Sequence, residues 1–286
     1  MTTFSPARAV PVRRVQWRAG RLPEVAAWAV LVVVAAFAVA PGLFSDLSPI
    51  AIDPAGAMRG PGAAHWFGTD QLGRDQFTRV VHGTRPSLLI GLGATVLAVA
   101  GGALIGLLAV VGMRYAEQVL MRLVDILLSL PTMLLALLVI TVLGEGSGNV
   151  MFAIAIAFIP GYARIVRAEA LVVVRSGYVE AARALGLRQS VLVVRHVLPN
   201  ALGPLLVLAT VGFGTALIAA SGLSFLGFGA EPPSPEWGVM LSEGRNYLST
   251  AWWLGVFPGG AMTLTVIAVN IVGRAAQNRF TRRAPR

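Results

Sequence analysis

Enzymes need side chains that attack a substrate, shuttle protons, hold a metal or grip a phosphate, and this 286-residue chain offers few of them in useful order. Its three histidines, His65, His82 and His196, lie far apart, and there is no cysteine. The Cys/His spacing of a structural metal site is therefore absent and disulfides are excluded. All 23 basic residues are arginine. A phosphate-gripping P-loop needs a lysine that reaches the β- and γ-phosphates, so the chain is not expected to hydrolyse ATP or to bind a cofactor of its own. Three polar groupings remain. Asp70, Arg74 and Asp75 share one segment, Asp125 stands nearly alone in apolar sequence, and a run from Tyr178 to Pro199 carries Glu180, Ala181, Ala182, Gly186, Leu198 and Pro199 in a defined order.

The elements that must position these residues are membrane helices. Hydrophobic residues make up 56% of the chain and charged ones 13%, against roughly 45–50% and 25% in soluble domains. Six apolar blocks can be drawn: Val25 to Phe44, Leu88 to Val111, Leu123 to Leu143, Val150 to Ala163, Ala201 to Phe228 and Ala251 to Val272. Most reach the ~20 residues that a helix rising about 1.5 Å per residue needs to cross hydrocarbon. The fourth is short and holds Pro160 and Gly161. It is kept as a span because Arg164 and Arg167 could snorkel to the headgroups, with a re-entrant segment as the alternative. The first block has a signal-like Ala38-Val39-Ala40 but too long an apolar run, which favours an uncleaved helix.

Arginine distribution tests the topology, because basic residues gather in cytoplasmic loops. With six crossings and both termini inside, eighteen arginines fall on the cytoplasmic side and five outside, namely Arg59, Arg74, Arg79, Arg85 and Arg245. The net charge of +10 is thereby assigned to a membrane surface rather than to nucleic acid, which would call for one basic domain with stacking aromatics. In this topology Asp70, Arg74 and Asp75 form a polar external patch, either a solvated loop or a protein-docking surface. Asp125 is expected to favour a helix N-terminus and to pair with Arg122 rather than to carry protons. Gly102 and Gly106, like Gly255 and Gly259, have the spacing that lets helices approach closely, within this chain or against a second subunit.

The Tyr178–Pro199 run is too polar to span. Glu180, Ala181, Ala182, Ala184 and Leu185 favour helix, Gly186 is a natural stop, and residues 187–197 offer a second helix ahead of Pro199. Arg183, Arg188 and Arg195 would also suit a plain interfacial hairpin. The order Glu-Ala-Ala, three residues, Gly, nine residues, x-x-Leu-Pro resembles the EAA signature of binding-protein-dependent ABC import permeases, with His196 where isoleucine is common. The segments His65 to Asp75, Arg122 to Pro131, Val197 to Ala201, and Ser224 to Gly229 followed by Pro232-Pro233 and Pro235 to Gly238 are similar to the DppC/OppC type of peptide importers. The basic stretch from Arg274 departs from the acidic residues common there.

The resemblance implies an all-α polytopic type I importer transmembrane domain in the cytoplasmic membrane of a prokaryote. Residues 1–24 would be a cytoplasmic tail, 25–87 the first helix and extracytoplasmic segment, 88–273 the permease domain with a coupling loop at 164–200, and 274–286 a basic tail. Its partners would be a second, DppB/OppB-type permease, two ATPase subunits that use ATP and magnesium, and an external substrate-binding protein docking near Asp70, Arg74 and Asp75. Glu180, Ala181, Ala182, Gly186, Leu198 and Pro199 would couple ATPase movement to the membrane helices. The substrate would be a peptide, with nickel complexes, haem or glutathione as alternatives in the same family. A secondary transporter or channel is the reading from another class, but it needs ionisable residues within the spans, and these blocks hold almost none beyond Asp125.

Overall fold

The computed structural model describes residues 22–111 and 114–283. The amino-terminal arginines Arg8, Arg13, Arg14, Arg18 and Arg21, and Arg286 at the other end, lie outside the described residues. Among the described residues ten α-helices run in order: α1 (Leu22–Val39), α2 (Gln76–Val111), α3 (Arg114–Leu128), α4 (Thr132–Leu143), α5 (Ser147–Val174), α6 (Gly177–Ala184), α7 (Gln189–Leu192), α8 (Leu198–Phe225), α9 (Trp237–Gly244) and α10 (Trp253–Arg283). Five of them, α1, α2, α5, α8 and α10, are long and apolar enough to cross a membrane.

The sixth crossing is a broken helix. Residues 117–128 and 132–143 together pass the same test but bend by 98° where Ser129, Leu130 and Pro131 interrupt the run. Proline disfavours helix at the residue before it, and here Pro131 is the N-cap from which α4 restarts. Packing shows that the pair spans from end to end. A Cβ at Gly93 would strike Met151, one at Gly102 would lie 2.4 Å from the Tyr162 Cβ, and one at Gly106 2.9 Å from the Val166 Cβ. Helices α2 and α5 thus run parallel and almost backbone to backbone, and the chain must return between them. Gly102 and Gly106 accordingly serve packing within the chain.

The remaining directions follow from the core. Leu205 packs with Ala98, Tyr162 and Val166, whereas Ala216, Ala220 and Leu223 pack with Ile90, Ala94 and Ile154. Helix α8 is therefore antiparallel to α2 and α5. Gly214 faces Val266 and Asn270 of α10, and Gly273 faces Thr210, so α10 descends beside α8. Phe37 near the end of α1 meets Phe77 at the start of α2, ring to ring at 6.4 Å. The described parts of both chain ends consequently lie at the end of the bundle that carries α6. The opposite end is capped by residues 40–75, α9 and the loops around it.

Several expectations need correction. Helix α5 is not short, because it runs unbroken through Pro160 for 28 residues. Its Arg164 and Arg167 do not reach for headgroups but pair with Asp125 and Glu117 of α3, so Asp125 is bonded to Arg164 rather than to Arg122. Helix α2 starts twelve residues before its apolar block, with Asp75 accepting from the Thr78 backbone N–H at 2.7 Å as an N-cap. Independently of these corrections, α10 continues as helix through Arg274 to Arg283.

Candidate functional site

At the α6 end the chain leaves α5 through Arg175 and Ser176 and forms an eight-residue helix that packs on almost nothing. Val179 is buried and is the side chain that anchors it, while Tyr178, Glu180, Ala181 and Ala184 are exposed and Leu185 is 83% exposed. Such a helix does not persist on propensity alone, since isolated helices under ~12 residues are marginal in water. Its closure comes from the turn that follows. Leu187 N–H donates to the Ala182 carbonyl at 3.2 Å and Gly186 N–H to the Arg183 carbonyl at 3.0 Å, the paired bonds of a Schellman stop. Gly186 takes φ = +81° there, a left-handed value that costs any residue with a Cβ.

The chain then re-enters the bundle differently from the sequence expectation. A second helix was expected to end before Pro199, which would restart the chain. Instead α7, a π-helical turn over Val193–Val197 and α8 follow one another from residue 189 to residue 225, with Pro199 in the first turn of α8. In the wide turn Leu198 N–H bonds to the Val193 carbonyl, five residues back. Proline lacks an N–H and its ring crowds the carbonyl four residues earlier, and a π-turn next to it accommodates both. Leu198 is half-buried and Pro199 exposed. Asn200 Nδ2 donates to the His196 carbonyl at 2.6 Å and to Tyr178 Oη at 3.3 Å, tying the helix that carries Glu180, Ala181 and Ala182 to the foot of α8. Tyr178 and Asn200 were not singled out in the sequence, because their contact joins positions 22 residues apart. Glu180 has no ion-pair partner among the described residues.

At the opposite end the charged residues are densely paired, with Arg79 Nη1 the one guanidinium nitrogen of the cluster that is buried without a hydrogen bond. Asp70, Arg74 and Asp75 do not form a solvated patch, since their exposure is 3%, 1% and 9%. Arg74 Nε donates to Asp70 Oδ2 at 2.5 Å and its Nη2 to Glu243 Oε2 at 3.0 Å. Arg79, also 1% exposed, donates through Nη2 to the same Glu243 oxygen at 2.7 Å and lies 3.6 Å from Asp70. The other Asp70 oxygen accepts from the backbone N–H groups of Leu72 and Arg74, both at 2.9 Å. Two carboxylates and two guanidinium groups thus neutralise one another and bind the cap to α2 and α9. Asp75 holds the start of α2 and meets His65 Nδ1 at 2.8 Å. Glu236, 1% exposed, caps α9 through the Gly238 and Val239 N–H groups, and burial pushes its carboxyl up. In this conformation a docking protein would meet the surface these groups brace, not their side chains.

Neither end presents a catalytic constellation, and among the described residues no three metal-ligating side chains converge. A cavity of about 540 Å³ between α1, α2 and α10 is walled by apolar groups such as Val33, Phe37, Phe67, Trp237, Phe257 and Leu264. It offers nothing to hold the charged ends of a peptide.

The comparisons with known proteins agree with this geometry. The profile of the binding-protein-dependent transport system inner membrane component family matches residues 83–285. The dipeptide transport system permease protein DppC of Alkalihalophilus pseudofirmus is 39% identical over 246 residues, covering 85% of this chain and 81% of the relative. The glutathione transport system permease protein GsiD of Escherichia coli is 44% identical over 218 residues, covering 75% and 71%. Among solved structures, an inward-facing form of the MetNI methionine ABC transporter superposes with a TM-score of 0.55 at 20% identity, over 69% of this chain and 96% of that one, which speaks for the fold alone. A multi-pass helical chain with a bare helix at one end and a locked cap at the other, matched along most of its length, belongs to the family of binding-protein-dependent transport system inner membrane components, the permeases of ABC importers.

Proposed function

We propose that this chain is the DppC/OppC-type permease subunit of a peptide importer, sharing the translocation path with a second, homologous permease. The α6 end faces the cytoplasm, so that both termini lie inside, in keeping with the arginine-rich loops found there. Two ATPase subunits dock on α6 and supply the ATP and magnesium chemistry that this lysine-free chain lacks. Glu180 accepts charge-assisted bonds from the ATPase, Ala181 and Ala182 keep the contact surface low, and Gly186 holds the turn. Leu198 and Pro199 carry the movement into α8. A substrate-binding protein docks on the cap braced by Asp70, Arg74 and Asp75. Transport then follows from each partner's different affinity for the inward- and outward-open states.

The observation that carries this reading is the exposed α6, an eight-residue helix with its Glu-Ala-Ala face unpartnered and its carboxyl end fixed by Gly186. Glutathione is the second substrate reading, favoured by the similarity to the GsiD permease. The test is uptake of labelled dipeptide and of glutathione by proteoliposomes holding the assembled transporter. ATP-dependent dipeptide accumulation that stops when this subunit is omitted is expected. Accumulation of glutathione alone would move the substrate to the second reading, and ATP-independent flux through this chain by itself would contradict an importer subunit.

A further inference from the structure

The two ion pairs between α3 and α5 belong neither to the cap nor to the α6 surface, and their placement is specific. Arg164 and Arg167 stand one turn apart on α5, seven to ten residues before that helix ends at Val174 and hands over to α6. Arg164 bonds Asp125, and Arg167 bonds Glu117 Oε1 through Nε at 3.1 Å and Nη2 at 2.5 Å. Both carboxylates sit on α3, eight residues apart.

What these pairs hold is a helix with little other purchase. Helix α3 buries Val124 but leaves Val119, Leu123 and Ile126 more than half exposed. Beyond the 98° break, α4 is different, because Leu135, Ala136 and Ile140 are built into the apolar core with Val150 and Ile154 of α5. The third span is thus fixed at the cap end by packing and clasped at the α6 end largely by charge, with Ser129-Leu130-Pro131 between as a flexure. Apolar packing holds through small shifts but has no direction, whereas an ion pair with forked geometry fixes one helix position relative to another.

We propose that Arg164 and Arg167 are positioning residues that make the inner half of the third span follow α5, so that a displacement of α6 reaches α3 through Asp125 and Glu117. The inference rests on α6 being the ATPase-docking helix. The role needs no contact of either arginine with the ATPase or the substrate, because the pairs act by keeping α3 and α5 a single moving unit at the cytoplasmic end.

The test uses the assembled transporter in lipid nanodiscs. Arg164→Gln with Arg167→Gln should retain bound ATPase subunits and substrate-binding-protein affinity, while substrate imported per ATP hydrolysed falls about fivefold or more. Lysine at both positions, which keeps the charge but loses the fork, should restore only part of the coupling, and the exchange Arg164→Asp with Asp125→Arg should keep that pair's share of it, a recovery that a merely structural role would not give. Because the chain has no cysteine, spin labels at Val119→Cys and Val172→Cys report the α3–α5 separation directly. One narrow distance is expected with and without ATP in the parent, and a broadened one in the glutamine variant. Wild-type uptake per ATP in the glutamine variant, or no recovery on charge exchange in an assembled complex, would overturn the clasp. The underlying reading fails separately, if Glu180→Ala leaves ATPase association untouched.

Discussion

The two ends of this bundle treat charge in opposite ways. At the cap, Asp70, Arg74 and Arg79 are withdrawn from water and pair with one another and with the part-buried Glu243, across elements as far apart in sequence as 169 residues. At the α6 end Glu180 and Arg183 stand exposed on a helix that buries one side chain, and Arg188 is exposed just beyond it. Burying an ion costs several kcal/mol unless partners replace its water, so the cap relies on opposite charges set against one another. The exposed helix costs little to build and leaves its groups for a second molecule. A locked end and an open end are what a subunit needs if force enters at one side and a defined surface must persist at the other.

Substitutions at the two ends should separate stability from coupling. The largest effect on stability is expected at the cap. Glu243→Ala would strip two buried guanidinium groups of their shared acceptor and should cost about 3–5 kcal/mol, seen as a marked fall in the thermal unfolding temperature of the purified chain. A change of under about 1 kcal/mol would place the cluster among ordinary surface pairs and erase the contrast. An intermediate effect is expected at Gly186→Val. A branched side chain at φ = +81° strains the turn by about 1–2 kcal/mol, but nothing lies within 4 Å of the added Cβ. Global unfolding should therefore shift little while ATPase subunits are lost from the purified complex. The smallest change in stability belongs to Glu180→Ala, within about 0.5 kcal/mol as for other exposed sites. Its effect should appear in binding, where losing a charge-assisted bond worth about 1.5–3 kcal/mol weakens ATPase association by roughly ten- to a hundredfold, measured by titrating ATPase subunit onto the immobilised permease.

The sequence was legible where a rule is local. Apolar runs marked the crossings, although the fourth run was short and the third is a bent pair of helices, and the helix formers before Gly186 marked both α6 and its stop. It was opaque where distant partners decide. The first three turns of α2 hold Arg79, His82, Arg85 and Pro86, which read as loop until Glu243 and the Ser234 carbonyl are brought against Arg79. For the same reason Asp70, Arg74 and Asp75 looked like a wet patch, and Arg164 and Arg167 looked like headgroup anchors. Pro199 misled in another way, because a proline can sit in an unbroken rod when a π-turn precedes it, and no local residue pattern announces that turn.

Helix α6 is bare in the chain alone, and the proposed function has the ATPase cover it on assembly. Single cysteines at Leu185→Cys, the C-cap of α6, and Trp66→Cys on the cap, both strongly exposed in the chain alone, can be timed for alkylation in the isolated permease and in the assembled transporter without its binding protein. Protection of position 185 by tenfold or more on assembly, with position 66 reacting at an unchanged rate, is the predicted outcome, on the order of the burial expected at an interface core. Equal alkylation of position 185 in both states would mean that α6 is an interfacial hairpin and that the ATPase engages this chain elsewhere.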